Sequence, residues 1–454
     1  MVAVGINQSD SLGHKPAPRN HEEIADRELT EPNEPARFWQ QSDRTVARSG
    51  FSHMTQFAPR SQHAHIRRGT TAYRRATFSL LLAGVATFNL LYAVQPLMPV
   101  FSRYFHVGAD ETALLLSFTT SLLAGALLAV APIADRFGRK PVIIASIFTA
   151  SAITVASSAV ENWHLLLASR ALLGIFLAGV PAVAMTYLAE EIEPEALDAA
   201  MGFYIGGNAI GGVISRLLNG FLAGIGSWHL ALAISGALGV ASAAAMIFLL
   251  PRSRMFTPHR PESRTAKGFY RQHLQNPMIL LLLFEAMILS GVFVTTYNLV
   301  GYRLNGPPFN LSVTVTSFVF LAYLFGTPAT ILTGQRFGHV HPANRIMIGI
   351  SLMTAGLACS AVDSLIAMVL GIALMTIGFF IAHASASGWV SSQSGNGRGQ
   401  AASLFLFSFY GGSAILSWVG GHMWARWAWP GVTLFLIGLL VAGFAAVLTA
   451  KLKE

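Results

Sequence analysis

The chain has 454 residues, of which 53% are hydrophobic and only 11% charged, and its mean hydropathy is +0.53. A soluble protein of this length carries about a quarter charged residues, so the composition excludes a set of soluble domains and implies a polytopic membrane protein. The formal net charge of +9 does not indicate nucleic acid, because the cations lie in short segments beside apolar runs, where lipid headgroups and topology place them.

Residues 1–66 are rich in Ser, Glu, Asp, Arg, His, Asn and Gln and contain no apolar run. They read as a disordered cytoplasmic tail without a signal-peptide core, and Met54 offers an alternative start that would remove most of it. Apolar segments begin at residue 77. Crossing about 30 Å of hydrocarbon takes roughly 20 residues at helical rise. Twelve segments fit, centred in 77–100, 112–133, 141–160, 163–188, 198–222, 228–250, 277–302, 311–333, 343–361, 364–388, 400–423 and 429–450. Lipid offers the backbone no hydrogen-bond partner, so all twelve are predicted to be helices and the fold class is all-α.

The Lys and Arg residues near the membrane set the expected orientation. One side collects Arg67, Arg68, Arg74, Arg75, Arg136, Arg139 and Lys140, the central-loop residues Arg252, Arg254, Arg260, Arg264, Lys267 and Arg271, and then Arg336, Arg345, Arg398, Lys451 and Lys453. The other side holds Arg103, Arg303 and Arg426. Eighteen against three predicts both termini in the cytoplasm. Residues 251–276 form a central cytoplasmic loop between two six-helix bundles, 67–250 and 277–454. The bundles repeat each other: "DRFGRK" at 135–140 is echoed by "QRFGHV" at 335–340, and "GGNAI" at 206–210 by "GGSAI" at 411–415. Two parallel halves with a binding site between them is an architecture expected of secondary transporters.

On these residues the sequence resembles the major facilitator superfamily. "ADRFGRKP" is similar to the superfamily's signature loop between its second and third helices, and Arg170 in "SRALLG" to its fourth-helix arginine. "GGNAIGG" resembles the fifth-helix motif of drug:proton antiporters. "LLYAVQPLMPVF", "SRALLGIFLAGVPAVAMTYLAEEI" and "LFLFSFYGGS" resemble bacterial inner-membrane efflux permeases of the YnfM type. Ala131 stands where the signature loop usually begins with Gly, and Asn208 where the antiporter motif usually has Pro. The resemblance covers everything after the tail. It implies a monomeric, multi-pass transporter of the bacterial inner membrane that works by alternating access and exports a drug, sugar or metabolite in exchange for protons. Proton-coupled uptake or facilitated diffusion is the alternative; a non-transporting sensor on the same scaffold is a more distant one.

An ionisable side chain in the bilayer costs on the order of 3 kcal/mol on insertion scales and must face a partner or a wet cavity. Glu285 lies in the seventh segment with Val292 and Thr296 on its face. It is read as a proton-coupling or substrate-contacting acid, with a structural bond to an arginine or hydroxyl as the alternative. Arg170 shares a face with Gly174, Leu177 and Pro181 and is read either as an anion or proton-release site or as half of a salt bridge. Arg216 is placed close enough to the outer interface to be mainly structural. His383, with Thr376 and Ser387 on its face, is read as a proton relay, since histidine titrates near neutrality, or else as a histidine hydrogen-bonded inside the bundle. Asn89, Tyr92 and Gln95 form a polar stripe before Pro96 that suits hydroxyl-rich or amphipathic cargo, or else bonds helices together. Thr296 and Tyr410 are further cavity candidates. Gly206, Gly207, Gly211, Gly212, Gly411 and Gly412 are predicted to let helices pack closely.

The loop residues Asp135, Arg136, Gly138, Arg139 and Lys140 set topology, but topology alone leaves Asp135 unexplained. The acidic run "EEIEPE" at 190–195 gives the cations partners on the same side. The expectation is a cytoplasmic latch that holds the outward-facing state. The sequence has a single cysteine, Cys359, and no metal-ligand spacing, nucleophile elbow or phosphate loop, so neither a metal nor a cofactor is expected.

Overall fold

The computed structural model describes residues 65–255 and 263–452. Most of the predicted tail therefore lies outside the described residues; at its end, Ile66 pairs with Ile192 in an isolated bridge. Helix α1 (Thr71–Tyr92) stops because Pro96 has no N–H for the carbonyl of Tyr92. A 3-10 turn, Gln95–Leu97, and α2 (Met98–Phe105) complete that crossing. Helix α3 (Ala109–Phe137) turns at Gly138, whose φ of 88° favours glycine, into α4 (Arg139–Ser157). Helices α5 (Trp163–Leu177) and α6 (Gly179–Glu191) run as one span, and α7 (Pro194–Ile225) and α8 (Trp228–Leu249) end the first half.

Part of the segment read as a central loop is the helix α9 (Ser263–Gln275). It is held by His273, which is 3% exposed and whose Nε2 lies 2.9 Å from the Gly397 carbonyl. Asn276 then caps α10 (Pro277–Asn305) through its side chain. Helix α11 (Val313–Ser317), a 3-10 stretch Phe318–Phe325 and α12 (Gly326–Arg336) form one span, followed by α13 (Pro342–Ser360) and α14 (Leu365–Gln393). Helix α15 (Arg398–Lys451) bends where Trp427 and Ala428 leave helical geometry just before Pro430.

Ten of these helices, some joined across short breaks, are long and apolar enough to cross a membrane. The predicted twelve differ from the ten at two places. Helix α3 is not among the ten although residues 112–134 carry no charge, and α15 counts once although its bend divides it into two legs.

The two halves share one packing seam. Gly207 of α7 lies against the Leu81 backbone of α1, and Gly412 of α15 against the Met287 backbone of α10. One turn further, Gly211 lies against Val85, but the equivalent contact in the second half is Leu416 against Gly291. The small residue has crossed to the partner helix and the close approach is kept. The prediction fails for Gly206 and Gly411, where an added Cβ would meet nothing within 4 Å. Gly212 makes room for a side chain instead: a Cβ there would lie 3.0 Å from Nη1 of Arg216.

Hydrogen bonds between the halves gather at the end of the bundle away from Gly138 and Arg336. Gln95 donates to Asn298 (2.6 Å), Ser117 to the Ala414 carbonyl (3.0 Å) and Tyr302 to the Met98 carbonyl (3.0 Å).

Candidate functional site

The centre of that closed end is Arg216, which is 0% exposed. Its Nε donates to Gln95 (2.5 Å), Nη1 to the Gly212 carbonyl (2.6 Å) and Nη2 to the Tyr323 hydroxyl (3.0 Å). The guanidinium lies 3.9 Å from the Tyr92 ring centre and 4.2 Å from that of Tyr323, with Phe320 at 5.3 Å. Tyr92 and Gln95 come from the first half and Tyr323 and Phe320 from the second, so one cation joins both. The 3-10 geometry of Phe318–Phe325 brings Phe320 and Tyr323, three residues apart, to the same side. Asn298 extends the network to Ser417 (3.2 Å). Arg216, read as mainly structural near the outer interface, is buried and holds the two halves together there. Its one sequence signal, an arginine inside an apolar helix, was visible, but its distant partners come from two other segments, one in each half.

Arg170 is 1% exposed and donates to the carbonyls of Leu90 (3.2 Å) and Leu91 (2.9 Å). These carbonyls lose their helical partners where Pro96 ends α1, and a cation at a helix C-terminus also meets the favourable end of the helix dipole. Among the described residues Arg170 forms no salt bridge, one of its two readings, and makes this backbone cap instead.

Glu285 is 0% exposed, and among the described residues neither carboxyl oxygen has a hydrogen-bond partner. Both oxygens face Gly443 in the second leg of α15, 3.1 Å from where a Cβ would stand. Thr296 does not line a cavity: it is 0% exposed and its hydroxyl donates to the Val292 carbonyl (2.8 Å). Asn89 is likewise buried. It is 3% exposed, donates to the Ser235 carbonyl (3.0 Å) and accepts from Ser215 at its own carbonyl (2.7 Å).

His383 lacks the polar chain a proton relay needs. Its ring stacks on Phe379 (5.4 Å, 9°) and lies against Phe405 and Phe409, and Nδ1 has no hydrogen-bond partner. Thr376 bonds Tyr297 (2.7 Å) instead, and Ser387 is exposed. Tyr410 stays half-buried beside Phe409 (5.3 Å).

At the opposite end, Arg139 is 8% exposed, pairs with Asp135 (2.7 Å) and takes Glu190 through two nitrogens (2.8 and 3.1 Å). Lys140 caps α8 at the carbonyls of Ile247 (2.8 Å) and Leu250 (2.5 Å), while Arg136 is exposed beside the Phe137 ring. These ion pairs stitch α3, α4 and α6 within the first half. Asp135, which topology left unexplained, neutralises Arg139.

A model of the Major Facilitator Superfamily matches residues 80–417. The inner membrane transport protein YnfM of Escherichia coli strain K12 is 39% identical over 376 residues, covering 83% of this chain and 90% of that protein. The MFS-type transporter YybF of Bacillus subtilis strain 168 is 36% identical over 387 residues, covering 84% and 96%. Among solved structures, a bacterial homologue of the human lysosomal transporter Spinster, in an inward-facing and unoccupied conformation, matches with a TM-score of 0.69. That match spans 84% of this chain and 96% of the other at 17% identity, a likeness of fold.

Proposed function

Because this chain belongs to the Major Facilitator Superfamily, we propose that it is a proton-coupled exporter of a small molecule, with its two halves rocking about the seam between them. The observation that carries the coupling is Glu285, a fully buried acid with neither oxygen bonded. A buried carboxylate left uncompensated costs several kcal/mol, so such a group is held neutral by a proton or meets a partner that comes and goes. A proton that loads and leaves as the halves rock satisfies both conditions. The small neighbour Gly443 leaves that side of the carboxyl uncrowded.

In the orientation that the Lys and Arg distribution favours, the closed Arg216 end faces outward and the Asp135–Arg139–Glu190 cluster lies on the cytoplasmic side. Alternating access then requires the Gln95–Asn298 and Arg216–Tyr323 bonds to break as the cytoplasmic ends come together. Flux in proteoliposomes under an imposed pH gradient tests the reading and gives its sign. Export from cytosol-equivalent to acidified lumen is expected, and Glu285→Gln should remove the dependence on the gradient. Flux that ignores the gradient in the wild type, or keeps its dependence in Glu285→Gln, would refute the coupling.

A further inference from the structure

We infer that the cargo is an organic anion, a carboxylate on an apolar or aromatic body, and that Arg216 recognises its charge; the inference rests on the transporter reading above and names its substrate class.

The two buried arginines of the first half differ in how their charge is met. Arg170 lies on carbonyls that a broken helix leaves free, so the helix end supplies its counter-charge, although its Nε has no hydrogen-bond partner among the described residues. Arg216 has no such partner. Its acceptors are a side-chain amide, a hydroxyl and the carbonyl of Gly212 four residues earlier in its own helix, and its faces are covered by aromatic rings. Among the described residues no carboxylate pairs with it. A full charge removed from water normally has an ionic partner, and here the described residues supply none.

A guanidinium offers five N–H donors, and the described bonds use one on Nε, one on Nη1 and one on Nη2. One donor remains on each terminal nitrogen, the complement of a bidentate carboxylate. Leading away from this point is a continuous run of rings. Tyr323 meets Phe293 (5.1 Å), Phe293 stacks on Phe379 (3.8 Å, 14°), and Phe379 stacks on His383, which meets Phe409 (5.0 Å). Tyr323, His383 and Phe409 are half-buried, while Phe293, Phe379 and Arg216 are buried, so the run is an aromatic wall that leads to a cation and opens to cargo when the Arg216–Tyr323 bond breaks. This arrangement suits a molecule with one charged end and a flat or apolar remainder, and explains an unbonded histidine set among phenylalanines better than a relay does.

The test uses the full-length protein in detergent at pH 7. Benzoate, phenylacetate and hexanoate are titrated against their neutral amides, and binding is read as thermal stabilisation. Each acid should stabilise the wild type at a concentration at least about ten-fold below that of its amide. Arg216→Gln should erase the preference. Arg216→Lys, which keeps charge but not the fork, should retain it with weaker binding, and Phe379→Ala should weaken the two aromatic acids more than hexanoate. If no acid outperforms its amide in the wild type, or Arg216→Gln keeps the preference, the inference is overturned; the wild-type comparison stands even where a variant does not fold. Cysteine accessibility at the two ends, followed in vesicles under a pH gradient, separates this failure from that of the transporter reading. Ends that exchange exposure while acids are ignored retain the transporter and discard the anion.

Discussion

A methyl group added at Gly412 and one added at Gly411 should have opposite consequences, although the two residues are neighbours in a single motif. At Gly412 the new Cβ would stand 2.5 Å from the Cα of Met287, against 3.4–4 Å for ordinary contact. The obstacle is backbone, which no rotamer change can clear, so α10 and α15 must separate by about 1 Å. Overpacking of this kind costs roughly 1–3 kcal/mol. At Gly411 the same Cβ meets nothing within 4 Å, and a Gly to Ala change inside a helix is neutral to favourable, by up to about 1 kcal/mol. Gly412→Ala should therefore lower the apparent Tm in detergent by a few degrees while Gly411→Ala leaves it unchanged or raises it. The first should also slow transport, because the α10–α15 contact positions Tyr410 and Phe409. Equal effects of the two variants, or a loss confined to Gly411→Ala, would refute the seam as described.

Glu190→Gln removes the two-point partner of Arg139, and after allowance for the solvent around the carboxylates it should cost about 1–2 kcal/mol. Asp135→Asn should lower turnover with normal membrane insertion; unchanged turnover would show that the cluster serves assembly alone. Replacing Gln95 by Leu breaks its bonds to both Asn298 and Arg216, so a cysteine placed at Tyr302 should react faster with a membrane-impermeant maleimide, and an unchanged rate would count against the closed end. If the cargo is a monoanion exchanged for a proton, both charges move down an inside-negative potential. Each contributes about 2.3 kcal/mol per 100 mV, so flux should be electrogenic and should fall when valinomycin and potassium collapse the potential.

Much of the scaffold was legible before any coordinates. The apolar segments, the duplicated "RFG" and "GG.AI" phrases and the break at Pro96 all rest on local rules of hydropathy, helical period and a missing N–H. Even one long-range contact could be foreseen, because the cations at 135–140 and the acids at 190–195 fall on the same predicted side, and Arg139 does meet Glu190. The interior polar residues were a different matter. Arg170, Glu285 and Arg216 look alike in sequence, each a lone charge in an apolar run. Yet one caps a helix, one has no partner, and one is clamped between tyrosines of two halves. Thr296 and Asn89 looked available for cargo until both were seen to be buried, with the Thr296 hydroxyl and the Asn89 amide nitrogen donating to carbonyls inside the bundle.

By itself the sequence determined that this chain crosses a membrane many times in two related halves, because burial in lipid constrains each segment independently of its neighbours. Tertiary structure decided which of two adjacent glycines is indispensable and which arginine stands at the gate. Both depend on atoms contributed by helices more than 100 residues away, and no periodicity within one segment records what another segment brings to its face.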